Sequence, residues 1–387
     1  MTANAGTSSV LLNRGNGSFS TRVDLPRGGH AVAVTDLNAD GLADVVVVGP
    51  RGGGTVSVMP SRGGGRFGAA RDYEMGAFPM AVTAADVDGD AALDLILANE
   101  NGQLESRKWT AGTVSILRGL GDGTFRARSD YPASSSPMAL AVSDLDGDGA
   151  LDVATAGNEG DASLLINRGD GTFRRGRVYD STSGPTWVVA ADFDGNGSRD
   201  LAVAANDWSD EVEEEGVTLE PAFVYALMNA HGTFRPRRNL MRTFGYIEDI
   251  ESPAAGDLNG DGAPGLVFAR SQMNWDTAFV SVLLNGGDRS FHQRLDYPVG
   301  RGNELSGLSL AVADLNGDRR PDVVTGESST NAVTVLLSTP GSCNVQDLAG
   351  KAVSVGSGYE TLRVRAARRT LAAAHCRIGT ITRACSD

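Results

Sequence analysis

A nine-residue segment, DLDGDGALD at 144–152, places acidic side chains where they could share one metal ion. Its carboxylates stand at positions 1, 3, 5 and 9, and a glycine stands at position 6. Calcium takes about six to eight oxygen ligands, and alternate residues of a tight loop can turn inward while position 7 offers its carbonyl oxygen. Glycine at position 6 permits the positive φ that such a turn needs. The segment predicts a calcium loop. It is not an EF-hand, because the ninth residue closes it and strand-like runs flank it.

The same pattern occurs six times along the chain, at intervals of 48 to 65 residues, and we name each loop by its first residue. One such segment could be a chance turn rich in aspartate, but six in one register indicate a repeated site for calcium, up to six ions in all. The predicted ligands, with position 7 acting through its carbonyl oxygen, are Asp36, Asn38, Asp40, Leu42 and Asp44; Asp86, Asp88, Asp90, Ala92 and Asp94; Asp144, Asp146, Asp148, Ala150 and Asp152; Asp192, Asp194, Asn196, Ser198 and Asp200; Asp257, Asn259, Asp261 and Ala263; Asp314, Asn316, Asp318, Arg320 and Asp322.

Departures from the pattern predict how tightly each of the six loops binds calcium. Ala91 and Arg319 stand at position 6, where a non-glycine residue must adopt a strained backbone conformation. Gly265 replaces the ninth carboxylate of the Asp257 loop. We therefore expect the Asp144 loop to bind calcium most tightly and the Asp257 loop to bind it most weakly. The alternative is that the loops are turns held by aspartate side chains alone, without an ion.

Apolar, strand-like runs surround each loop. One precedes it, as at 31–34, a second follows it, as at 45–48, and a third comes later, as at 280–285. A glycine turn that ends in phenylalanine, as at 169–173, then leads to a fourth. Four short strands in each repeat of about 50 residues predict an all-β fold, a β-propeller of four-stranded blades.

The succession of AVSDLDGDGALDVATA and LLINRGDGTF also resembles the FG-GAP/VCBS repeats of integrin-like β-propellers. The resemblance covers about residues 1–338. It implies a calcium-stapled propeller, usually of seven blades, in a protein that is secreted or lies at the cell surface. It says little about the ligand.

The loops place six blades near 30–75, 80–132, 138–180, 186–241, 253–298 and 308–338, and residues 1–26 supply half of another. We predict seven blades with one incomplete, closed by the N-terminal segment beside the last blade, and six blades as the alternative. Because residue 1 falls inside a repeat, we expect further strands and an export signal to lie upstream in the parent protein.

The net charge of −14 does not by itself indicate a basic partner, because the six loops hold nineteen aspartates. Nothing in the sequence has the pattern of a nucleic-acid surface. No apolar run reaches the roughly 18 residues of a membrane span, so we expect no membrane insertion.

The face of the propeller opposite the calcium loops is where we expect a ligand to bind. In an antiparallel blade the calcium loops and the glycine turns share one face, and the longer connections share the other. Three of the four tryptophans, Trp109, Trp208 and Trp275, lie in those longer connections. Loops on a rigid scaffold are frequent binding sites. Such rings could stack on a sugar or hold a surface protein, or they could simply cover their own loops.

The composition changes after residue 338, and we place a linker at 339–342 and a small α+β module at 343–387. Val364, Ala367 and Leu371 form part of an apolar helical stripe. We expect Cys343 and Cys376 to form a disulfide in an exported protein, with a metal site as the alternative. The run Cys343-x-Val345-x-x-Leu348-x-Gly350, followed by that helix, partly resembles a truncated PASTA domain, which implies binding to the bacterial cell wall.

Catalytic signatures are absent from the sequence: there is no G-x-S-x-G elbow, H-E-x-x-H helix or phosphate-binding loop. Most acidic residues belong to the calcium loops. We therefore expect no enzyme, but a calcium-binding adhesion module outside the cell or at its surface, with a glycan or a surface protein as partner. A carbohydrate-active enzyme with dispersed acids such as Glu248, Asp249 or Glu251 is the second interpretation, and a purely structural scaffold is the third.

Overall fold

The computed structural model describes most of the first 354 residues. The ranges described are 2–3, 8–50, 54–75, 78–100, 111–157, 161–180, 184–206, 212–214, 217–219, 222–235, 238–243, 248–272, 278–286, 291–300, 308–327, 332–338 and 348–354. All regular structure in these ranges is β-strand. No helix that could span a membrane occurs in them.

Seven antiparallel sheets form the blades of a propeller, six of them with four strands and the first with three described strands. The strands are Thr2–Ala3, Ser8–Asn13 and Phe19–Leu25 in blade 1; Ala31–Thr35, Asp44–Val48, Thr55–Met59 and Arg71–Glu74 in blade 2; Phe78–Ala85, Asp94–Glu100, Ala111–Leu117 and Ser129–Ser135 in blade 3; Pro137–Ser143, Asp152–Gly157, Asp161–Asn167 and Phe173–Asp180 in blade 4; Gly184–Ala191, Asp200–Asn206, Ala222–Leu227 and Arg238–Thr243 in blade 5; Glu248–Gly256, Gly265–Gln272, Ala278–Asn285 and Phe291–Gly300 in blade 6; Leu308–Ala313, Asp322–Glu327, Ala332–Ser338 and Leu348–Ser354 in blade 7. Two short hairpins, Val212–Glu214 with Val217–Leu219 and Asn229–Ala230 with Thr233–Phe234, belong to blade 5 connections.

The core of the protein lies between neighbouring blades. The second strand of blade 2, Asp44–Val48, is buried along its whole length, because both of its faces pack against other sheets. Branched side chains such as Val46 and Val48 pack there against Leu95 and Leu97 of blade 3. Comparable clusters fill the other interfaces between successive blades. Continuous apolar runs, rather than alternating ones, are therefore what the second and third strands require.

The N-terminal sheet closes the ring. The side-chain amide of Asn13 donates a hydrogen bond to the Leu315 carbonyl of blade 7 at 2.8 Å, and the Gly17 N–H donates to the same oxygen at 3.1 Å. On its other side, Leu25 packs against Val45 and neighbouring apolar residues of blade 2. The prediction of seven blades, closed by the N-terminal segment beside the last blade, is confirmed, and three strands are described in the first blade.

The last blade extends further than the sequence suggested. The strand Leu348–Ser354 pairs antiparallel with Ala332–Ser338 and is the fourth strand of blade 7. The propeller boundary that we placed at residue 338 was therefore too early, because no glycine turn ending in phenylalanine announces this strand. The proposed linker at 339–342, Cys343, Cys376 and the predicted helix lie outside the described residues. The PASTA-like segment and the disulfide stay predictions.

Candidate metal centres

In the Asp144 loop, backbone N–H groups hold the carboxylates in place. Asp144 accepts hydrogen bonds from the N–H groups of Gly147, at 2.7 Å, and Gly149, at 3.0 Å. Asp146 accepts one from Asp148 at 3.2 Å, and Asp148 accepts one from Ala150 at 2.8 Å, each through its Oδ1 atom. The backbone thus positions the acidic side chains at alternate residues without using all of their oxygen lone pairs.

The ninth carboxylate fastens the loop to the sheet. Asp152 is fully buried, and its two oxygens accept hydrogen bonds from the Leu145 N–H, at 2.9 Å, and the Asn167 N–H, at 2.8 Å. In four other loops the ninth residue is also an aspartate that accepts the corresponding two backbone hydrogen bonds; these residues are Asp44, Asp94, Asp200 and Asp322. This residue therefore joins the loop to the second strand and to the end of the third.

Burial makes the negative charge of these ninth residues unfavourable. Loss of hydration is the main cause that raises the pKa of Asp152 to about 6, and the nearby charges of Asp146 and Asp148 act in the same direction. The two backbone hydrogen bonds to Asp152 oppose this rise. Burial likewise raises the pKa of Asp200 to about 6. A bound cation would offset this cost, since a nearby positive charge favours the ionised form.

Three loops gather acidic oxygens closely enough to hold one ion. In each, three carboxylates contribute an oxygen within 4.8 Å of the other two; the groups are Asp86, Asp88 and Asp90, then Asp144, Asp146 and Asp152, then Asp192, Asp194 and Asp200. These groups hold oxygen donors only, without histidine or cysteine, which suits a hard cation such as calcium or magnesium.

The loops with asparagine at position 3 form no such acidic group among the described residues. In the Asp257 loop, the side-chain amide of Asn259 donates to Asp261 at 2.7 Å, and in the Asp314 loop Asn316 donates to Asp318 at 3.0 Å. The Asp36 loop has Asn38 at this position. The Asp36 and Asp314 loops hold three aspartates each, as the Asp192 loop does, and the Asp257 loop holds two.

The Asp257 loop also lacks the fastening by a ninth carboxylate. A Cβ atom on Gly265 would lie only 2.8 Å from the Leu283 carbonyl oxygen, so the sheet has no room for a side chain there. The N–H of Leu258 donates to the Gly256 carbonyl at 3.1 Å instead. These contacts support its place as the weakest of the six candidate sites.

Within the six loops, backbone strain falls where the sequence predicted it and at one further residue. Ala91 and Arg319 have φ angles of 69° and 68°, in the left-handed region that glycine occupies at position 6 of the other loops. Ala39, with φ of 57°, stands at position 4 of the Asp36 loop. The sequence carried a signal for this third residue, since position 4 is glycine in the other five loops.

A set of asparagines that we did not single out from the sequence links four of the six loops to the next blade around the ring. The side-chain amide of Asn167, in blade 4, donates to the Val87 carbonyl of the Asp86 loop at 2.7 Å and to the Leu151 carbonyl of its own loop at 3.0 Å. Asn229 and Asn285 make the corresponding bonds to the preceding blade, and Asn13 makes the one that closes the ring. The signal was an asparagine that recurs at the end of the third strand.

The glycine turns lie against the loops of the preceding blade, as expected if both share one face. A Cβ on Gly171, in the turn of blade 4, would lie 2.7 Å from the Asp88 Cβ. Gly232 of blade 5 is similarly close to Asp146. The phenylalanine that ends a turn contacts a tyrosine of the preceding blade, as in the edge-to-face pair Tyr131 and Phe173, with ring centroids 5.3 Å apart.

The residues predicted to bind a ligand on the opposite face, Trp109, Trp208 and Trp275, lie outside the described residues. The same holds for the side chains of the dispersed acids Glu248, Asp249 and Glu251. The ligand face therefore stays a prediction.

Comparison with known proteins identifies the repeat. The family described as FG-GAP-like repeat matches residues 1–47, 36–97, 98–155, 144–203 and 257–325, well over half of the chain. A search of curated proteins gives no match. A solved structure described as "Crystal structure of BBS1N in complex with ARL6DN, soaked with mercury" is 11% identical, covers 87% of this chain and 99% of that chain, and has a TM-score of 0.44, a likeness too weak to carry functional information. By its repeats, the chain belongs to the FG-GAP-like repeat family.

Proposed function

We propose that this protein is a calcium-stabilised β-propeller that acts as a binding module outside the cell or at its surface. The observation that carries the metal assignment is the gathering of three acidic oxygens within 4.8 Å of one another in the Asp144 loop and again in the Asp192 loop. Calcium is preferred to magnesium because it accepts an all-protein set of oxygen ligands, whereas magnesium retains several waters. Zinc is disfavoured because these groups hold neither histidine nor cysteine.

Each loop position has a role in this proposal. Positions 1, 3 and 5 would supply side-chain oxygens, position 7 a carbonyl oxygen, and position 9 a buried carboxylate that also fastens the loop to the sheet. A bound ion would neutralise charges that the fold brings together. The Asp144 loop, with four aspartates and glycine at position 6, is the strongest of the six candidates, and the Asp257 loop is the weakest.

A thermal melt in calcium and in chelator tests the metal assignment. An ion that binds only the folded state adds about 2.7 kcal/mol when its concentration is 100-fold above the dissociation constant. We expect a large rise in melting temperature with calcium and a smaller rise in the double variant Asp144→Asn and Asp146→Asn. The matched control is Asp122→Asn in the glycine turn of blade 3, which should respond to calcium like the wild type. Equal melting temperatures with calcium and with chelator would refute the assignment.

The binding role rests on the resemblance and on the placement of the long connections. FG-GAP repeats are typical of extracellular proteins, where weak calcium sites with dissociation constants of roughly 0.1–1 mM are filled. We propose a glycan or a surface protein as the partner, held by Trp109, Trp208 and Trp275 on the face opposite the calcium loops. The segment beyond residue 354 would add contact with the cell wall.

A glycan array, followed by alanine variants of the three tryptophans, tests the binding role. Loss of binding with an unchanged melting temperature in calcium would support the proposed face. If binding survives all three substitutions, this face is not the site. Release of reducing ends from an array glycan would instead favour the alternative of a carbohydrate-active enzyme.

A further inference from the structure

Arg118 lies between two blades, beside one of the candidate metal loops. Its guanidinium Nη1 is 3.2 Å from Oδ2 of Asp88, which is position 3 of the Asp86 loop. Its Nη2 donates a hydrogen bond to the Asp170 carbonyl, in the glycine turn of blade 4, at 2.7 Å. One side chain of blade 3 thus connects a predicted metal ligand of its own blade to the backbone of the next blade.

The ion pair between Arg118 and Asp88 is partly shielded from solvent. The Asp88 side chain is only 12% exposed, and that of Arg118 is 28% exposed. A Cβ on Gly171 would lie 2.9 Å from the Arg118 Nη2, so the turn of blade 4 closes over the guanidinium. The glycine at this position is what lets the arginine and the turn approach so closely.

In this arrangement both carboxylate oxygens of Asp88 already have partners. Its Oδ1 accepts the Asp90 N–H at 3.3 Å, and its Oδ2 faces Arg118. A calcium ion in this loop would share Asp88 with a fixed positive charge a few ångströms away. Like charges at that separation repel strongly when they are partly buried.

The Asp144 loop gives a direct comparison. Its position 3, Asp146, faces Arg174, but the two are 3.9 Å apart, beyond hydrogen-bond distance, and the Arg174 side chain is 54% exposed. The two loops have the same four aspartates. Arg118 offsets one of the four negative charges of the Asp86 loop directly at position 3.

We infer that Arg118 takes the place of a metal ion at the Asp86 loop and joins blades 3 and 4 without calcium. The inference rests on the proposed calcium binding by the other loops. It predicts that the Asp86 loop binds calcium at least about 100-fold more weakly than the Asp144 loop, although both have the same number of carboxylates.

The first test compares Arg118→Gln with the wild type. Calcium bound per chain is measured by equilibrium dialysis at a concentration that fills the Asp144 loop, and melting temperatures are measured in calcium and in chelator. The variant should bind one additional calcium ion, melt lower than the wild type in chelator, and recover most of that loss in calcium. The control, Arg174→Gln, should leave the calcium count unchanged. An unchanged count, with an equal loss of melting temperature in both conditions, would overturn the inference.

A second test leaves Arg118 in place and removes one ligand from each loop in turn. Asp86→Asn should change neither the calcium count nor the rise in melting temperature with calcium, whereas Asp144→Asn should lower both. If Asp86→Asn also removes one ion, Arg118 does not replace the metal. If the wild type binds no calcium at all, the proposed metal function fails first, and this inference fails with it.

Discussion

Replacing Ala91 by glycine should stabilise the propeller, because its backbone occupies the left-handed region with φ of 69°. A non-glycine residue there costs about 1–2 kcal/mol. Glycine removes this strain, but it also lowers the free energy of unfolding by about 0.4–1 kcal/mol, because the unfolded chain gains conformational freedom. The net gain in the free energy of unfolding is therefore between about 0 and 1.6 kcal/mol, with a middle value of about 0.8 kcal/mol. Arg319→Gly, at φ of 68° in a distant blade, should give a similar gain, and the two should add.

The control for this experiment is the neighbouring residue. Ala92 stands at position 7 of the same loop and is not among the residues with positive φ. Ala92→Gly should therefore destabilise the protein by about 0.4–1 kcal/mol, because only the unfolded chain gains freedom. Denaturant unfolding in excess chelator measures all three variants without a contribution from metal. If Ala91→Gly destabilises the protein as much as Ala92→Gly does, backbone strain does not limit the stability of these loops.

Two further predictions concern the ninth carboxylates and the asparagine links. Because burial raises the pKa values of Asp152 and Asp200 to about 6, their stabilising contribution in chelator is complete below about pH 4 and is lost as the pH rises through 6, by up to about 3 kcal/mol each. The rise in melting temperature with calcium should therefore grow between pH 5 and pH 7, and melts across this range would contradict the account if that rise were constant. Asn167→Ala should lower the free energy of unfolding by about 2–3 kcal/mol, because two buried carbonyls, including that of Val87, lose their donor. Denaturant unfolding checks this against Asn16→Ala in an exposed turn, and equal losses would contradict the role of the link.

The features that the sequence predicted are those that a short segment specifies by itself. The spacing of aspartates and glycines sets the loop conformation, so the six loops and the strain at Ala91 and Arg319 could be recognised without a fold. The succession of apolar runs and glycine turns likewise predicted the blade order and the seventh blade that the N-terminal segment forms. The loop spacing and the succession of strands and turns each recur several times along the chain, so neither pattern is a chance occurrence.

The features that the sequence did not predict depend on contacts between blades. Asn167 and Val87 are 80 residues apart, and Asn13 and Leu315 are 302 residues apart, so no local pattern connects them. Arg118 forms an ion pair with Asp88 and a hydrogen bond with a turn of the next blade. These contacts could be recognised only after the structure had shown that the two blades are adjacent. The fourth strand of blade 7 was missed because no familiar turn precedes it.

The most direct test of the central claim is a crystal structure of the protein grown in millimolar calcium, with anomalous scattering used to locate the ions. We predict an ion in the Asp144 loop, at about 2.3–2.6 Å from oxygens of Asp144, Asp146, Asp148 and Asp152 and from the Ala150 carbonyl. Anomalous peaks in this and other loops at such distances would establish the propeller as calcium-stapled. A well-ordered Asp144 loop that holds only water under these conditions would contradict the account.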